Sequence, residues 1–314
     1  MPTHQLKPDA YTLHGDYSLE REPVLRIQSG DTIEAETFDA GWGLEAPHLD
    51  GTPRLRHPKV HELAQWGHAL IGPIWIEGAK PGMTLVVHFE ELLPGAYGFT
   101  YAGGFAHRIH QHLGLVEGGE ELMLWSLDAG KMTGTNHFGH QIKLKPFLGN
   151  LGMPPPESGH HSTLSPSIWG GNIDCRELVA GTRLYLPVPV EGALFSFGDG
   201  HAAQGHGEVS VNALECPMSY VRLGLELSDT SSAPPPCAWT PAGWLTFGFH
   251  TDLEQATYIA LDSIVSLLMS NYSLPSRKQA LALATAVVDL HITQIANPVM
   301  GVHAFLPHDA LEAT

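Results

Sequence analysis

Tyr220-Val221-Arg222-Leu223-Gly224-Leu225-Glu226-Leu227 is the stretch from which the fold is read. In an extended chain Val221, Leu223, Leu225 and Leu227 fall on one face, while Arg222 and Glu226 fall on the other. That alternation predicts a strand with one buried side. Thr84–Phe89 and Arg183–Val188 are similar runs, and Glu208–Leu214 repeats the pattern through Val209, Val211 and Ala213. Several runs start from a glycine turn: Ser29-Gly30-Asp31, Lys80-Pro81-Gly82, Ala180-Gly181 and Glu191-Gly192. Glycine tolerates positive φ at such points and sets the direction of the next strand. Strand then turn, with no helix between, predicts a mainly β chain built as an antiparallel, jelly-roll-like β-sandwich.

Further along, Asp229–Pro236 carries three consecutive prolines and reads as a linker, since proline cannot donate to a sheet ladder. The organisation expected is a single domain over 1–314. It comprises a β-rich body (1–228), a Pro-rich linker (229–236) and a C-terminal segment (237–314) of one strand and two helices. Trp244–Phe249 supplies the strand. The first helix is capped by Thr251 or Asp252 and buries Leu253, Ala256, Ala260, Ile264 and Leu267. The second starts near Ser273–Ser276 and runs through Ala280, Leu283, Ala284 and Val287. Both helices are expected to pack on the β body, because two helices alone make a poor core. Ile295–Pro307, interrupted by Pro298, Gly301 and Pro307, reads as irregular.

Composition narrows the function classes. Among 314 residues, 33 are acidic and 16 basic, a net charge of −17 with the 20 histidines neutral. Such a surface disfavours nucleic acid and anionic membranes as partners. With 43% apolar and 16% charged residues, the chain is too apolar to be disordered. Three cysteines without CxxC spacing suit a reducing compartment, and Met1–Glu20 lacks the basic-then-apolar order of a signal peptide. The most apolar long stretch, Ala280–Leu290, is shorter than the ~20 residues of a membrane span. A cytoplasmic protein is expected.

The chemistry concentrates in Phe197-Gly198-Asp199-Gly200-His201-Ala202-Ala203-Gln204-Gly205-His206-Gly207-Glu208, read as a glycine-rich loop between two apolar strands. Asp199 and His201 are two apart and share a face in extended geometry. Glu208 can return to them if the glycines fold the loop back. Asp, His and Glu are ligand types that zinc accepts, and a site short of one protein ligand keeps a position for water. The competing reading is a hairpin whose Asp and His bond only backbone groups. A second stretch, Gly170-Gly171-Asn172-Ile173-Asp174-Cys175, places Asp174 beside two glycines, with an Asx-type turn as its alternative. Cys175 is a nucleophile only if a base depresses its pKa; otherwise it is an inert buried thiol. His107, His110 and His112 show no helical pattern around them and read as a solvated loop. Asp39, ending the Thr32–Phe38 strand, is either a ligand or a strand-end turn residue.

Several phrases taken together resemble the acetamidase/formamidase family. They are Gly72-Pro73-Ile74-Trp75-Ile76-Glu77-Gly78-Ala79-Lys80-Pro81-Gly82, Pro146-Phe147-Leu148-Gly149, Gly170–Asp174, Leu184-Tyr185-Leu186-Pro187-Val188 and Gly192-Ala193-Leu194-Phe195-Ser196. Gly198–Gly205 with Gly207-Glu208, and then Asn297-Pro298 with Gly301-Val302, continue the match in order, from about residue 25 to 307. The resemblance implies metal-dependent hydrolysis of a small amide, of the formamide or acetamide kind, to a carboxylate and ammonia. It also implies a homodimer or dimer of dimers. Metal ligands would fall on Asp174, Asp199 and His201, with Asp39 as a further candidate. Glu208 would ligate or transfer a proton, Gln204 would orient the amide and His206 would shuttle the proton. The ion expected is divalent, zinc first, with calcium as a second ion.

The chain departs from the family pattern at three positions: His206 replaces an Asp, Met83 replaces an Asp, and His291 replaces an Arg. Two other readings compete, a cysteine amidase using Cys175 and a jelly-roll module that binds a ligand or metal without catalysis.

Overall fold

The computed structural model describes residues 2–63, 66–230 and 234–311. The chain is mainly β, as the alternation predicts. Nine strands form one sheet in the order Thr3–Leu6, Thr32–Thr37, Met218–Ser228, Thr84–Pro94, Arg183–Pro187, Cys237–Trp239, Gly243–His250, Met300–Pro307 and Asp289–Gln294. All neighbours in it are antiparallel except the first pair. A second sheet of twelve strands has Phe195–Ala203 at its centre, flanked by Phe147–Gly152 on one side and by Leu214–Glu215 and Leu70–Ile76 on the other.

One continuous apolar cluster joins the two sheets. Ile33, Val87, Phe89, Leu184, Leu223 and Leu225 from the nine-stranded sheet meet Ile71, Leu148, Leu151, Phe195 and Phe197 from the other. Burying a side chain of this size contributes roughly 1.5–3 kcal/mol, so the alternating faces are what hold the sandwich closed. Gly30 and Gly82, with φ of 93° and 92°, make two of the expected turns.

The C-terminal segment extends the nine-stranded sheet; the first helix packs on it and the second packs on the first. Leu253–Asn271 is capped by Asp252, whose side chain accepts from the Gln255 N–H; Arg277–Val287 is capped by Ser276, which accepts from Gln279 N–H. Ala256, Ala260, Ile264 and Leu267 bury against Val302, Ala304 and Leu306 of the outer strands. A Cβ on Gly248 would lie 1.9 Å from the Ala256 carbonyl oxygen, so only glycine lets the first helix come this close.

Two sequence expectations fail. Glu208–Leu214 is not a strand: Glu208 and Val211 have φ of 49° and 76°, Val209 is exposed, and only Leu214–Glu215 pairs. The chain is diverted there to bring Glu208 into the interior. Ile295–Pro307 is not irregular, because Met300–Pro307 pairs along its length with Gly243–His250, with Gly301 opposite Phe249 and Pro307 at the strand end. Asp289–Gln294 forms the sheet edge beside it. The linker segment 229–236 lies partly outside the described residues.

Candidate active site

Asp199 and His201 lie in the strand Phe195–Ala203 rather than in a loop. The Phe147–Gly152 strand runs between it and Gly170–Asn172, which leads directly into Asp174. Gly149 sits on that middle strand, and its carbonyl accepts from Asp174 N–H at 3.1 Å. A Cβ on Gly149 would lie 2.6 Å from Asp199 Oδ2, 2.6 Å from His201 Cε1 and 2.7 Å from Asp174 Oδ1. Two acidic elements separated by a whole strand therefore meet over a residue that has no side chain. Asp174, Asp199 and His201 are all buried and each offers a ligand atom within 4.8 Å of the others.

Other groups close around them. His201 Nε2 lies 3.2 Å from Asp199 Oδ1 and 3.4 Å from Glu215 Oε1, and His68 Nε2 is 4.0 Å from Asp199 Oδ2. Asn297 Nδ2 donates to Asp174 Oδ2 at 2.9 Å, and Gln204 Nε2 donates to the Asp174 carbonyl at 2.8 Å. Asp174 Oδ1, Asp199 Oδ1, His201 Nδ1, Glu208 Oε2 and Glu215 Oε2 are buried without a hydrogen-bond partner. Buried polar atoms are seldom left so, and five of them converge here.

The electrostatics agree. Burial, reinforced by the Asp199 charge, pushes the Asp174 carboxyl well up. Burial and then Asp174 do the same to Glu208, and burial raises Glu215. Burial also acts to raise Asp199, but the His201 and His68 imidazoles outweigh it and bring this carboxyl below its ordinary range. His201 is raised, since Glu215 and Asp199 overcome the effect of burial. Four carboxyls around one imidazole repel one another unless a proton or a cation intervenes. Asp174, Asp199 and Glu208 also have left-handed backbones, with φ of 51°, 61° and 49°, a conformation that costs on the order of 1–3 kcal/mol where it is strained.

A cavity of about 730 Å³ opens onto Asp199, His201, Glu208 and Glu215, walled by Trp66, Phe99, Tyr101 and Phe105. A second, of about 410 Å³, is lined by Gln204, Trp125 and Lys145 and shares Glu208 with the first.

Other expected site residues stand elsewhere. Asp39 is not free to ligate: Arg54 grips it through two bonds of 2.7 and 2.8 Å, Tyr97 Oη donates at 3.1 Å, and the N–H groups of Gly41 and Gly43 complete its shell. Its carboxylate is neutralised by a guanidinium. His206 stacks on His291 and lies 3.5 Å from Glu177. Gln204 lines the smaller cavity, and its amide N–H₂ is engaged by Asp174. Cys175 is buried, and burial pushes its thiol up, away from thiolate character. His107, His110 and His112 belong to a short helix, Arg108–Leu113, rather than a loop; His107 caps it and His110 is buried. Glu215, His68 and Gly149 were not expected. Glu215 is opposite His201 across a strand pair, and that hairpin register was the only signal for it.

A family model described as the acetamidase/formamidase family matches residues 157–231, the segment that carries Asp174, Asp199, His201, Glu208 and Glu215. The chain is 46% identical over 275 residues to the acetamidase of Mycolicibacterium smegmatis, covering 63% of this chain and 66% of that one. It is 22% identical over 249 residues to the formamidase of Methylophilus methylotrophus, covering 63% and 60%. The chain thus spans somewhat less than two thirds of either relative. In structure it resembles the acetamidase of Bacillus halodurans, with a TM-score of 0.82 at 25% identity, covering 96% and 97% of the two chains. The family match and the named relatives support an amidohydrolase on a β-sandwich fold. The chain resembles the acetamidase/formamidase family in sequence and in fold.

Proposed function

We propose that the chain hydrolyses short aliphatic amides, of the formamide and acetamide kind, to a carboxylate and ammonia with the aid of a divalent metal ion. The observation that carries this reading is the meeting of Asp174, Asp199 and His201 over Gly149, each with an unpartnered atom turned inward. Two carboxylates and an imidazole suit zinc, and the surplus of carboxyl oxygens suits calcium as a second ion. Asp174, Asp199 and His201 would hold the ion. The chemistry such an ion supplies when bound is Lewis acidity toward a carbonyl and toward water.

The chain's own residues do the rest. Asn297 and Gln204 fix Asp174 by its side chain and main chain; Glu215 and His68 orient His201 and Asp199. Glu208 faces both cavities, and its raised pKa suits it to take a proton from water and pass it to the departing amine nitrogen. The shuttle role expected of His206 passes to Glu208, and Gln204 becomes a positioning residue. The aromatic walls of the larger cavity exclude water from the reacting amide.

Metal analysis of protein purified without added ions, with ammonia release from formamide and acetamide, tests the reading. Full turnover by metal-free protein, or by His201→Ala, overturns it. The same reading places the chain in a homodimer or dimer of dimers. Its support is the sheet edge Asp289–Gln294, where Leu290 and Ile292 are exposed. Light scattering on the purified protein measures this directly. Among the described residues no helix is long and apolar enough to cross a membrane, and the buried cysteine thiols suit the reducing cytoplasm as the compartment.

A further inference from the structure

His206 and His291, two positions where the chain departs from the family pattern, touch one another. Their rings stack with centroids 4.5 Å apart, and His303 completes a triangle at 5.1 Å from His291 and 5.2 Å from His206. Each of the three offers a nitrogen within 4.8 Å of the others. Two of them have one ring nitrogen engaged and the other bare. His303 Nδ1 is bonded to Thr293 Oγ1 at 2.8 Å, while its Nε2 is buried with no partner. His206 Nε2 lies 3.5 Å from Glu177 Oε1, while its Nδ1 is buried with no partner. Metal-bound imidazoles have this arrangement, an outer hydroxyl or carboxylate on one nitrogen and the ion on the other.

We propose that His206, His291 and His303 form a second metal site, separate from the acidic one, for zinc or another late first-row divalent ion that favours imidazole. Ligand nitrogens on a tetrahedral zinc stand about 3.3 Å apart, given bonds of about 2.0–2.1 Å. His206 and His291 are partly exposed and can rotate inward, whereas His303 is fully buried and fixes the centre. Three protein ligands leave a fourth position for water.

The site would act as a staple. His206 belongs to the loop that leads into Glu208, whereas His291 and His303 are register partners on the last two strands of the other sheet. That seam already has two main-chain bonds, Gly207 N–H to Thr293 O at 3.1 Å and Ile295 N–H to Gly207 O at 2.9 Å. An ion there would pin the approach to Glu208 from the third side.

The test uses the full chain, stripped with chelator and reloaded with zinc, and counts ions per chain by mass spectrometry. His291→Ala and the double variant His206→Asp with His291→Arg should each hold one ion fewer than the wild type. Copper-loaded wild type should show electron-spin coupling to three nitrogens, lost in both variants. Asp199→Asn should lose the acidic-site ion and keep this one, so a failure of the amidase reading and a failure of this proposal are told apart. Equal zinc content in the wild type and in both folded variants overturns the site, as does copper coupling that survives them.

Discussion

Asn297 Nδ2 donates a 2.9 Å hydrogen bond to Asp174 Oδ2, joining the end of the chain to the middle of the candidate site across 123 residues. The bond leaves Asp174 Oδ1 as the inward-facing, unpartnered oxygen. Outer-partner substitutions at metal sites typically cost 10–100-fold in affinity or activity. Asn297→Ala should therefore lower amide turnover by about 10–100-fold while leaving the fold intact. Steady-state ammonia release beside a circular dichroism melt checks it. Wild-type activity in a folded variant would remove Asn297 from the support of Asp174.

Gly149→Ala places a methyl 2.6–2.7 Å from Asp199, His201 and Asp174. No ordinary contact is so short, so at least one of the three must move. Displacements of about 1 Å at a reacting centre can cost 10²-fold, and an overpacked core costs about 1–3 kcal/mol. The variant should fold, melt a few degrees lower and lose most of its turnover. Unchanged kinetics would show that the three side chains do not act from the positions seen here.

The Asp39–Arg54 pair should contribute stability and leave metal binding alone. Arg54→Ala leaves the fully buried Asp39 without its cation, a loss of roughly 3–5 kcal/mol for a broken buried pair. Chemical denaturation should report that loss. Metal content per folded chain should match the wild type; a fall in both would return Asp39 to the ligand set.

His14 supplies a pH dependence outside the site. It is buried, with Nδ1 2.7 Å from the Asp16 carbonyl and Nε2 3.0 Å from Ser196 Oγ, and burial holds its pKa down to about 3. A lowered folded-state pKa contributes stability that is fully present above the unfolded value of 6.5 and is lost as pH falls through that value toward 3. The limiting slope is about 1.4 kcal/mol per pH unit. Melting temperatures from pH 7 to pH 4 should fall less steeply for His14→Gln than for the wild type. Parallel profiles would mean that His14 titrates alike in both states.

Cys175→Ser should retain turnover. The thiol is fully buried and raised, so serine costs some stability without removing a nucleophile. A hundredfold loss in a folded Ser variant would restore the cysteine amidase.

The sandwich was legible because its strands alternate cleanly: Val221, Leu223 and Leu225 are fully buried, as their spacing requires. The two long helices were legible from their caps, Asp252 and Ser276. Local pattern misled where function overrode it. Val209, Val211 and Ala213 mimic a strand, yet Glu208 and Val211 take left-handed conformations that turn the carboxylate inward. The Met300–Pro307 strand was hidden by its own Gly301 and Pro307, which a sheet accommodates at a small-residue contact and at a strand end. Within the site, Asp174, Asp199, His201 and Glu208 could be named because the first lies beside two glycines and the others share one glycine-rich stretch. His68 and Glu215 could not, since Glu215 is brought in by the register of a neighbouring strand and His68 by the irregular stretch that leads into Leu70–Ile76. Asp39 has the right chemistry for a ligand, and nothing in its spacing reveals that Arg54 already occupies it.

The order of the strands has a bearing on synthesis. The acids at 174, 199, 208 and 215 leave the ribosome well before Asn297 and the hairpin that completes the nine-stranded sheet. A nascent chain therefore carries its charged pocket in a half-built state, with Asp174 unanchored, until residue 297 has emerged. The contact that orients this carboxylate is one that a growing chain cannot make until residue 297 has been added.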